Sequence, residues 1–401
     1  MQQKLTYNHT IIACFIGYIV QAIVNNFVPL LFLTFHKSYG IPMSSITLLI
    51  TFNFGLQLLI DFLSAGFIDR IGYRASAILA HVFASCGLIL LTILPDLLPD
   101  PFVGLLIAVM VYAVGGGLLE VLVSPIVEAC PTDHKESAMS LLHSFYCWGH
   151  VGVVLLSTAY FAVFGTANWK YLALIWAVIP LANAVFFSRV PIASLISEGE
   201  TGMTLKELAM QKIFWVMMLL MVCAGACEQA VSQWASALAE AGLGVSKSVG
   251  DLAGPMLFAV LMGTSRALYG KFGEKLPLRP CMILSGILCG VSYLLISLSP
   301  SPLLAFAGCG LCGFSVGILW PGTFSMASAA LKRGGTLMFA MLALAGDLGC
   351  SGGPTYVGFL SGIFDNNLKM GILFACIFPV LLLLGIFLLG KMRKPLAEKT
   401  L

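Results

Sequence analysis

The sequence has very little charge. Of its 401 residues only 10% are Asp, Glu, Lys or Arg, whereas 59% are hydrophobic and the mean hydropathy is +0.98. A soluble domain needs charged side chains over its surface, so this composition excludes one and is typical of a helical protein that crosses the membrane many times. The net charge of +3 is too small to indicate nucleic acid as a partner.

The sequence also lacks the common catalytic and cofactor-binding motifs. The sequence contains no nucleotide-binding loop, catalytic triad or metal-ligand cluster, so it predicts neither an enzyme nor a resident cofactor or metal. Its twelve cysteines are scattered through apolar segments without the spacing of a metal site or disulfide framework, which favours a packing role. The first apolar run is too long for the core of a signal peptide and predicts a retained first helix.

Apolar runs of about 20 residues predict twelve transmembrane spans. The longest polar break, 189–211, contains T-L-K-E-L, which predicts a short helix in a cytoplasmic linker. We therefore expect an all-α membrane protein with two pseudo-symmetric six-helix bundles, 1–188 and 212–401. The spans are predicted at 11–35, 44–68, 75–94, 102–129, 138–165, 169–188, 212–240, 251–272, 280–298, 302–331, 336–363 and 370–391.

The distribution of Lys and Arg predicts the orientation. With both termini in the cytoplasm, sixteen of the 21 basic residues lie on the cytoplasmic side, four on the other side, and Arg266 within span 8. A repeat supports two halves: AGFIDRIGYR (65–74) follows span 2 and YGKFGEKLPLR (269–279) follows span 8. Repeats of this kind are typical of transporters whose substrate path lies near the bilayer midplane.

Carboxylates within apolar spans are the main candidates for function. Each costs roughly 2.5–3.5 kcal/mol on insertion scales and by default marks a functional site. Glu120 precedes Ser124 and Pro125, and an acid in such a place can hold a proton near neutral pH and release it when water enters. The carboxylates predicted to couple protons are Glu120, Glu228 and Asp347.

The loop after span 2 resembles the signature loop of the major facilitator superfamily. Asp69, Arg70, Gly72 and Arg74 match it, with Ala65 in place of the usual Gly. The resemblance implies the superfamily's fold and a charge latch at the cytoplasmic end. Asn53, Gln57 and Asp61 are spaced four residues apart in span 2 and so form a polar stripe on one face of that helix. Arg266 within span 8 needs a carboxylate or carbonyl partner. The predicted gating residues are Asp61, Asp69, Arg70, Arg74 and Arg266.

Three further segments resemble the L-fucose permease family of proton–sugar symporters. Glu120-x-x-x-Ser124-Pro125 is similar to that family's E-x-x-x-N-P segment in helix 4. The segment 142–149 resembles helix 5, where His143 takes the place of a sugar-facing polar residue. Gly225-Ala226-Cys227-Glu228 and the following Trp234 resemble helix 7. The resemblance implies a sugar as solute and a proton as coupling ion.

One position departs from that family. Asn25, four residues before Pro29, stands where the family has an Asp. An amide can hydrogen-bond a sugar hydroxyl but cannot carry a proton, so coupling falls to Glu120 or to Glu120 with another carboxylate. Amides beside aromatic rings suit a sugar, whose ring face packs on an aromatic plate. The predicted substrate-binding residues are Asn25, Glu120, His143, Glu228, Gln229, Trp234 and Trp320, the last beside a kink at Pro321-Gly322.

These patterns predict a proton-coupled importer of a sugar or similar small polar solute. Its partners would be that solute, protons and the lipid bilayer, and we expect a monomer in a bacterial inner membrane with cytoplasmic termini. The alternative is a proton-driven exporter of drugs or metabolites. Such exporters usually have an Arg in the middle of span 4, which this sequence lacks. A receptor or assembly factor on the same fold would bind without transport.

Overall fold

The computed structural model describes residues 5–193, 195, 202–365 and 367–397, which are nearly all helical and include no strand. The all-α prediction is therefore confirmed. Up to Arg189 the helices are α1 (Tyr7–Asn26), α2 (Phe32–Tyr39), α3 (Met43–Ile71), α4 (Tyr73–Leu97), α5 (Pro101–Ala129), α6 (Lys135–Phe164) and α7 (Trp169–Arg189). The later helices are α8 (Leu205–Ala209), α9 (Lys212–Ser232), α10 (Ala235–Leu243), α11 (Lys247–Phe272), α12 (Leu278–Leu298), α13 (Pro302–Val316), α14 (Leu319–Ala330), α15 (Gly335–Ile363), α16 (Leu368–Phe374) and α17 (Ile377–Ala397).

Within the described ranges, eleven helical segments are long and apolar enough to cross a membrane. Predicted span 2 lies in α3, whose qualifying apolar part is the shorter Leu48–Ser64. These eleven segments and the shorter one account for the twelve predicted spans. Two spans consist of two helices each: α13 with α14, and α16 with α17.

The linker forms the short helix that its sequence predicts. Residues 194 and 196–201 lie outside the described part of the linker. Thr204 caps α8: its backbone N–H donates to the Glu207 carboxylate at 2.7 Å, and the Glu207 N–H donates to the Thr204 hydroxyl at 3.3 Å. This reciprocal capping box begins the helix at the T-L-K-E-L segment. The same backbone hydrogen bond, together with that of the Thr204 hydroxyl, lowers the pKa of Glu207.

The described residues form two compact units. In unit 1, α5 packs against α1, α3 and α4. In unit 2, α9 packs against α13, α14 and α17. The predicted division of the chain at 189–211 stays a prediction. Unit 1 contains the described residues of Met1–Thr132, Phe145–Glu200 and Gly335–Ala340, and unit 2 those of Asp133–Ser144, Thr201–Gly334 and Met341–Leu401.

Glycines allow the close helix contacts in unit 1. A Cβ added at Gly115 would overlap the carbonyl oxygen of Ala80 in α4. A Cβ at Gly116 or Gly117 would lie 3.0–3.2 Å from atoms of Gln57 in α3. The three glycines before Glu120 thus bring α3 and α4 against α5, which is the close approach that small residues permit in membranes.

We expect Gly225→Ala to destabilise the protein, because a Cβ there would overlap the carbonyl oxygen of Gly346 in α15. Overpacking of this kind costs about 1–3 kcal/mol. Gly290→Ala in α12 is the matched control, since nothing lies within 4 Å of its added Cβ. Thermal unfolding in detergent should give a lower melting temperature for Gly225→Ala and an unchanged or higher one for Gly290→Ala. Equal melting temperatures would contradict the packing argument.

Candidate transport site

A cluster of amides in unit 1 is centred on Asn25. Its Oδ1 accepts hydrogen bonds from Asn53 Nδ2 at 3.1 Å and from Gln57 Nε2 at 2.8 Å. Its own Nδ2 donates to the Tyr146 hydroxyl at 3.4 Å. Asn25, Asn53 and Gln57 are all at least nine-tenths buried. We predicted the polar stripe of α3 as part of a gate. In the structure, Asn53 and Gln57 of this stripe bond to Asn25 of α1, which is a predicted substrate-binding residue.

Glu120 lies beside a second carboxylate in unit 1. Gln21 Nε2 donates to Glu120 Oε2 at 2.8 Å, and carboxylate oxygens of Asp61 and Glu120 lie within 4.8 Å of each other. Asp61 is completely buried and Glu120 half-buried. Two negative charges at this distance would repel by about 3.5 kcal/mol or more at an effective dielectric constant of 20.

Two tyrosines that the sequence analysis did not select also belong to this region. The Tyr18 hydroxyl lies 3.2 Å from Ser124 Oγ, and the Tyr18 and Tyr146 rings meet edge to face with centroids 6.4 Å apart. Tyr18 precedes Asn25 by two helical turns, so helical spacing alone could have placed both on one face of α1.

Arg266 joins three segments of unit 2. Its Nε donates to the Gly317 carbonyl at 2.7 Å, its Nη1 to the His143 carbonyl at 3.2 Å, and its Nη2 to Glu228 Oε2 at 3.2 Å. Arg266 is only 4% exposed. The prediction that this arginine has a carboxylate or carbonyl partner is confirmed, and it has both kinds. Its gating role stays a prediction.

The Gly317 carbonyl is available because of Pro321. Proline has no backbone N–H, so the carbonyl four residues earlier loses its helical hydrogen bond. The helix is interrupted there: α13 ends at Val316 and α14 begins at Leu319. We predicted the kink at Pro321-Gly322, but it lies one turn earlier, where Arg266 replaces the missing donor. Irregular backbone in a membrane needs such a replacement.

The predicted residues Glu228 and Gln229 of α9 form a hydrogen-bonded chain with Gln233. Gln229 Nε2 donates to Glu228 Oε1 at 3.2 Å, and Gln233 Nε2 donates to Gln229 Oε1 at 2.9 Å. Trp234 follows at the break between α9 and α10, and its indole N–H is buried without a hydrogen-bond partner among the described residues. The structure thus brings Glu228 and Gln229 together on α9 and leaves a donor at Trp234.

Aromatic rings connect two further predicted residues of unit 2. The His143 and Phe324 rings have centroids 5.8 Å apart, and Phe324 meets Trp320 edge to face at 6.4 Å. The Trp320 ring packs against Gly346, where an added Cβ would overlap it, and the half-buried Asp347 is the next residue. Neither Phe324 nor Gly346 had a signal in the sequence beyond its apolar or small side chain.

In the signature loop, Arg74 bonds to backbone carbonyls. Arg74 Nη1 donates to the carbonyls of Phe187 and Ser188, both at 2.9 Å, and so caps the end of α7. Arg70 is exposed, and the side chain of Asp69 lies outside the described residues. The latch therefore stays a prediction.

The fold and these buried polar groups define a polytopic membrane protein of the kind that moves solutes, with polar and ionisable side chains held inside apolar spans. The family model described as Major Facilitator Superfamily matches residues 10–354. The chain belongs to this superfamily and is a transporter rather than an enzyme. No curated protein matches the sequence significantly.

Solved structures of sugar symporters share the fold. The fucose:proton symporter FucP of E. coli, as its N162A variant, is 14% identical, with 96% of this chain and 99% of that chain covered and a TM-score of 0.80. FucP in the outward conformation gives a TM-score of 0.82 over 95% and 99% of the two chains, also at 14% identity. The proton:xylose symporter XylE is 13% identical, with 96% and 95% covered and a TM-score of 0.79. At these identities the likeness shows the fold alone.

We expect Asn25→Asp to be tolerated, because two amide N–H groups already donate to this side chain's oxygen. A carboxylate would strengthen both hydrogen bonds, since charge-assisted bonds are roughly twice as strong. Asn25→Leu is the contrasting variant: it leaves both donors without their acceptor, at about 1–3 kcal/mol for each buried group. In detergent, Asn25→Asp should melt close to the wild-type temperature and Asn25→Leu well below it. A drop with Asp as large as that with Leu would contradict the hydrogen-bond assignment.

Proposed function

We propose that the protein imports a sugar, or a similarly small neutral polar solute, together with protons by alternating access. The observation that carries the proposal is the position of Glu120. Its carboxylate sits in an apolar span, accepts a hydrogen bond from Gln21 and lies within 4.8 Å of a carboxylate oxygen of Asp61. A carboxyl group in such surroundings changes its hydrogen bonding when it takes or loses a proton, because only the protonated form can donate.

Amides and aromatic rings support a sugar as the solute. Unit 1 offers Asn25 with its neighbours, and unit 2 offers Gln229, Trp234 and Trp320. Hydroxyl groups bond to amides, and the apolar face of a sugar ring packs on an aromatic plate. The named functions of FucP and XylE, a fucose:proton and a proton:xylose symporter, are consistent with this choice.

Arg266 supports a neutral solute over a sugar acid. An anionic solute needs an accessible cation, whereas the guanidinium of Arg266 is buried and already bonded to Glu228 and two carbonyls. Coupling through Glu228 would require that ion pair to break. We therefore assign the coupled proton first to Glu120, with Asp61 as its neighbour, and leave Asp347 as a further candidate.

The remaining parts of the proposal follow the superfamily. We propose that Asp61, Asp69, Arg70, Arg74 and Arg266 act in gating, and that His143 contacts the solute. We also propose two six-helix halves joined by 189–211, a monomeric state, and a bacterial inner membrane with both termini in the cytoplasm.

Proton uptake by proteoliposomes tests this function. Hexoses, deoxyhexoses, pentoses and the corresponding sugar acids would be added one at a time while external pH is recorded. We expect alkalinisation with one or a few neutral sugars and none with the acids. Silence across the neutral sugars, with proton-driven efflux of a lipophilic dye, would instead support an exporter. Alkalinisation with sugar acids alone would contradict the argument from Arg266.

A further inference from the structure

Two polar side chains, from α1 and α3, lie beside Glu120 of α5 in unit 1. Gln21 is 3% exposed, and its Oε1 has no hydrogen-bond partner among the described residues. The same amide donates through Nε2 to Glu120, so this buried side chain lies against the Glu120 carboxylate. Oxygens of Asp61 and Glu120 lie within 4.8 Å of each other. A buried amide oxygen without a donor is unusual in a folded protein and points to a missing partner.

We propose that Gln21, Asp61 and Glu120 also form a site for Na⁺, which competes with the coupled proton for the same carboxylate oxygens. The inference rests on the proposed role of Glu120 in ion coupling and does not depend on which solute is carried. An amide oxygen and ionised carboxylates can only accept hydrogen bonds or bind a cation. A donor set made only of oxygen suits hard cations and excludes soft metals such as Cu⁺.

The spacing of the carboxylates admits a cation, and the need for release favours Na⁺. The carboxylate oxygens of Asp61 and Glu120 lie at most 4.8 Å apart. One cation can bridge that distance with two cation–oxygen bonds of about 2.4 Å. A coupling ion must also leave in each transport cycle, which favours a weakly held monovalent ion.

The test uses the purified full-length protein without any solute. Melting temperatures would be measured in NaCl, KCl and choline chloride at equal ionic strength, because a ligand that binds only the folded state raises the melting temperature. We expect a rise with Na⁺ alone. Gln21→Met, which keeps the length of the side chain but removes the oxygen, should weaken the apparent Na⁺ affinity by about ten-fold or more. Gln211→Met, at an exposed glutamine before α9, should respond like wild type.

Either of two results would overturn the Na⁺ site: a wild-type protein that melts at the same temperature in all three salts, or a Gln21→Met variant that keeps the wild-type Na⁺ response. The first result would leave a buried water as the partner of Gln21. If Gln21→Met does not fold, Glu120→Gln replaces it. The same loss of Na⁺ affinity is expected, and a retained Na⁺ response would overturn the site.

Transport in proteoliposomes distinguishes the Na⁺ site from the proposed function. Solute uptake driven by a pH gradient without any Na⁺ effect keeps the proposed function, whereas Na⁺ binding without a response to pH overturns only proton coupling.

Discussion

Glu120→Gln should abolish accumulation of solute against its gradient while solute exchange across the membrane continues. The amide keeps the shape of the side chain and can still bond the solute, but it cannot take up a proton. One charge crossing 100 mV supplies ~2.3 kcal/mol and one pH unit ~1.4 kcal/mol, which together allow roughly 500-fold accumulation per proton. In the variant this ratio should fall to about one, because no free energy of the proton gradient reaches the solute.

Counterflow and gradient-driven uptake in the same proteoliposomes distinguish the two activities. Asp100→Asn is the matched control, since Asp100 is an exposed carboxylate at the start of the same helix. Asparagine caps a helix as well as aspartate does, so this variant should accumulate solute normally. Accumulation by Glu120→Gln at the wild-type level would show that the proton is carried elsewhere, with Asp347 the next candidate. Loss of counterflow as well would assign Glu120 to solute binding.

Replacing Arg266 with methionine should have the largest effect on stability. The change removes hydrogen bonds to Gly317, His143 and Glu228 and leaves a carboxylate in unit 2 without its cation. Removal of one member of a buried ion pair costs about 3–5 kcal/mol. We expect low yield, a strongly lowered melting temperature in detergent and no transport. Arg279→Met is the control: among the described residues Arg279 donates one hydrogen bond, to the Ile386 carbonyl at 3.3 Å, so its loss should cost about 1 kcal/mol.

Two second-site changes separate the causes of that loss. Glu228→Gln in the Arg266→Met background removes the uncompensated charge and should restore part of the melting temperature. Pro321→Ala in the same background restores an N–H that can bond the Gly317 carbonyl, and should restore another part. Additive recovery would support both roles of Arg266. If neither change helps, the loss would come from the volume and packing of the guanidinium rather than from its hydrogen bonds.

The class of fold and the number of membrane spans follow from local properties of the sequence. Long apolar runs must form helices in a bilayer, because every backbone group has to be satisfied within its own segment. The amino-acid order alone also singles out Glu120, since a carboxylate in such a run is rare and costly. The signature loop at Asp69–Arg74 indicates the superfamily, which the family model confirms.

Packing between helices, in contrast, selected the partners of these residues. Spacing placed Asn53 and Gln57 on one face of α3, but it did not show that this face meets Asn25 of α1. A proline at 321 implied a free carbonyl four residues earlier, yet the donor that reaches it comes from α11. Periodicity is a property of one helix, whereas a hydrogen bond between helices depends on their separation, rotation and depth. Small residues such as Gly115–Gly117 set these quantities only once the helices are packed together.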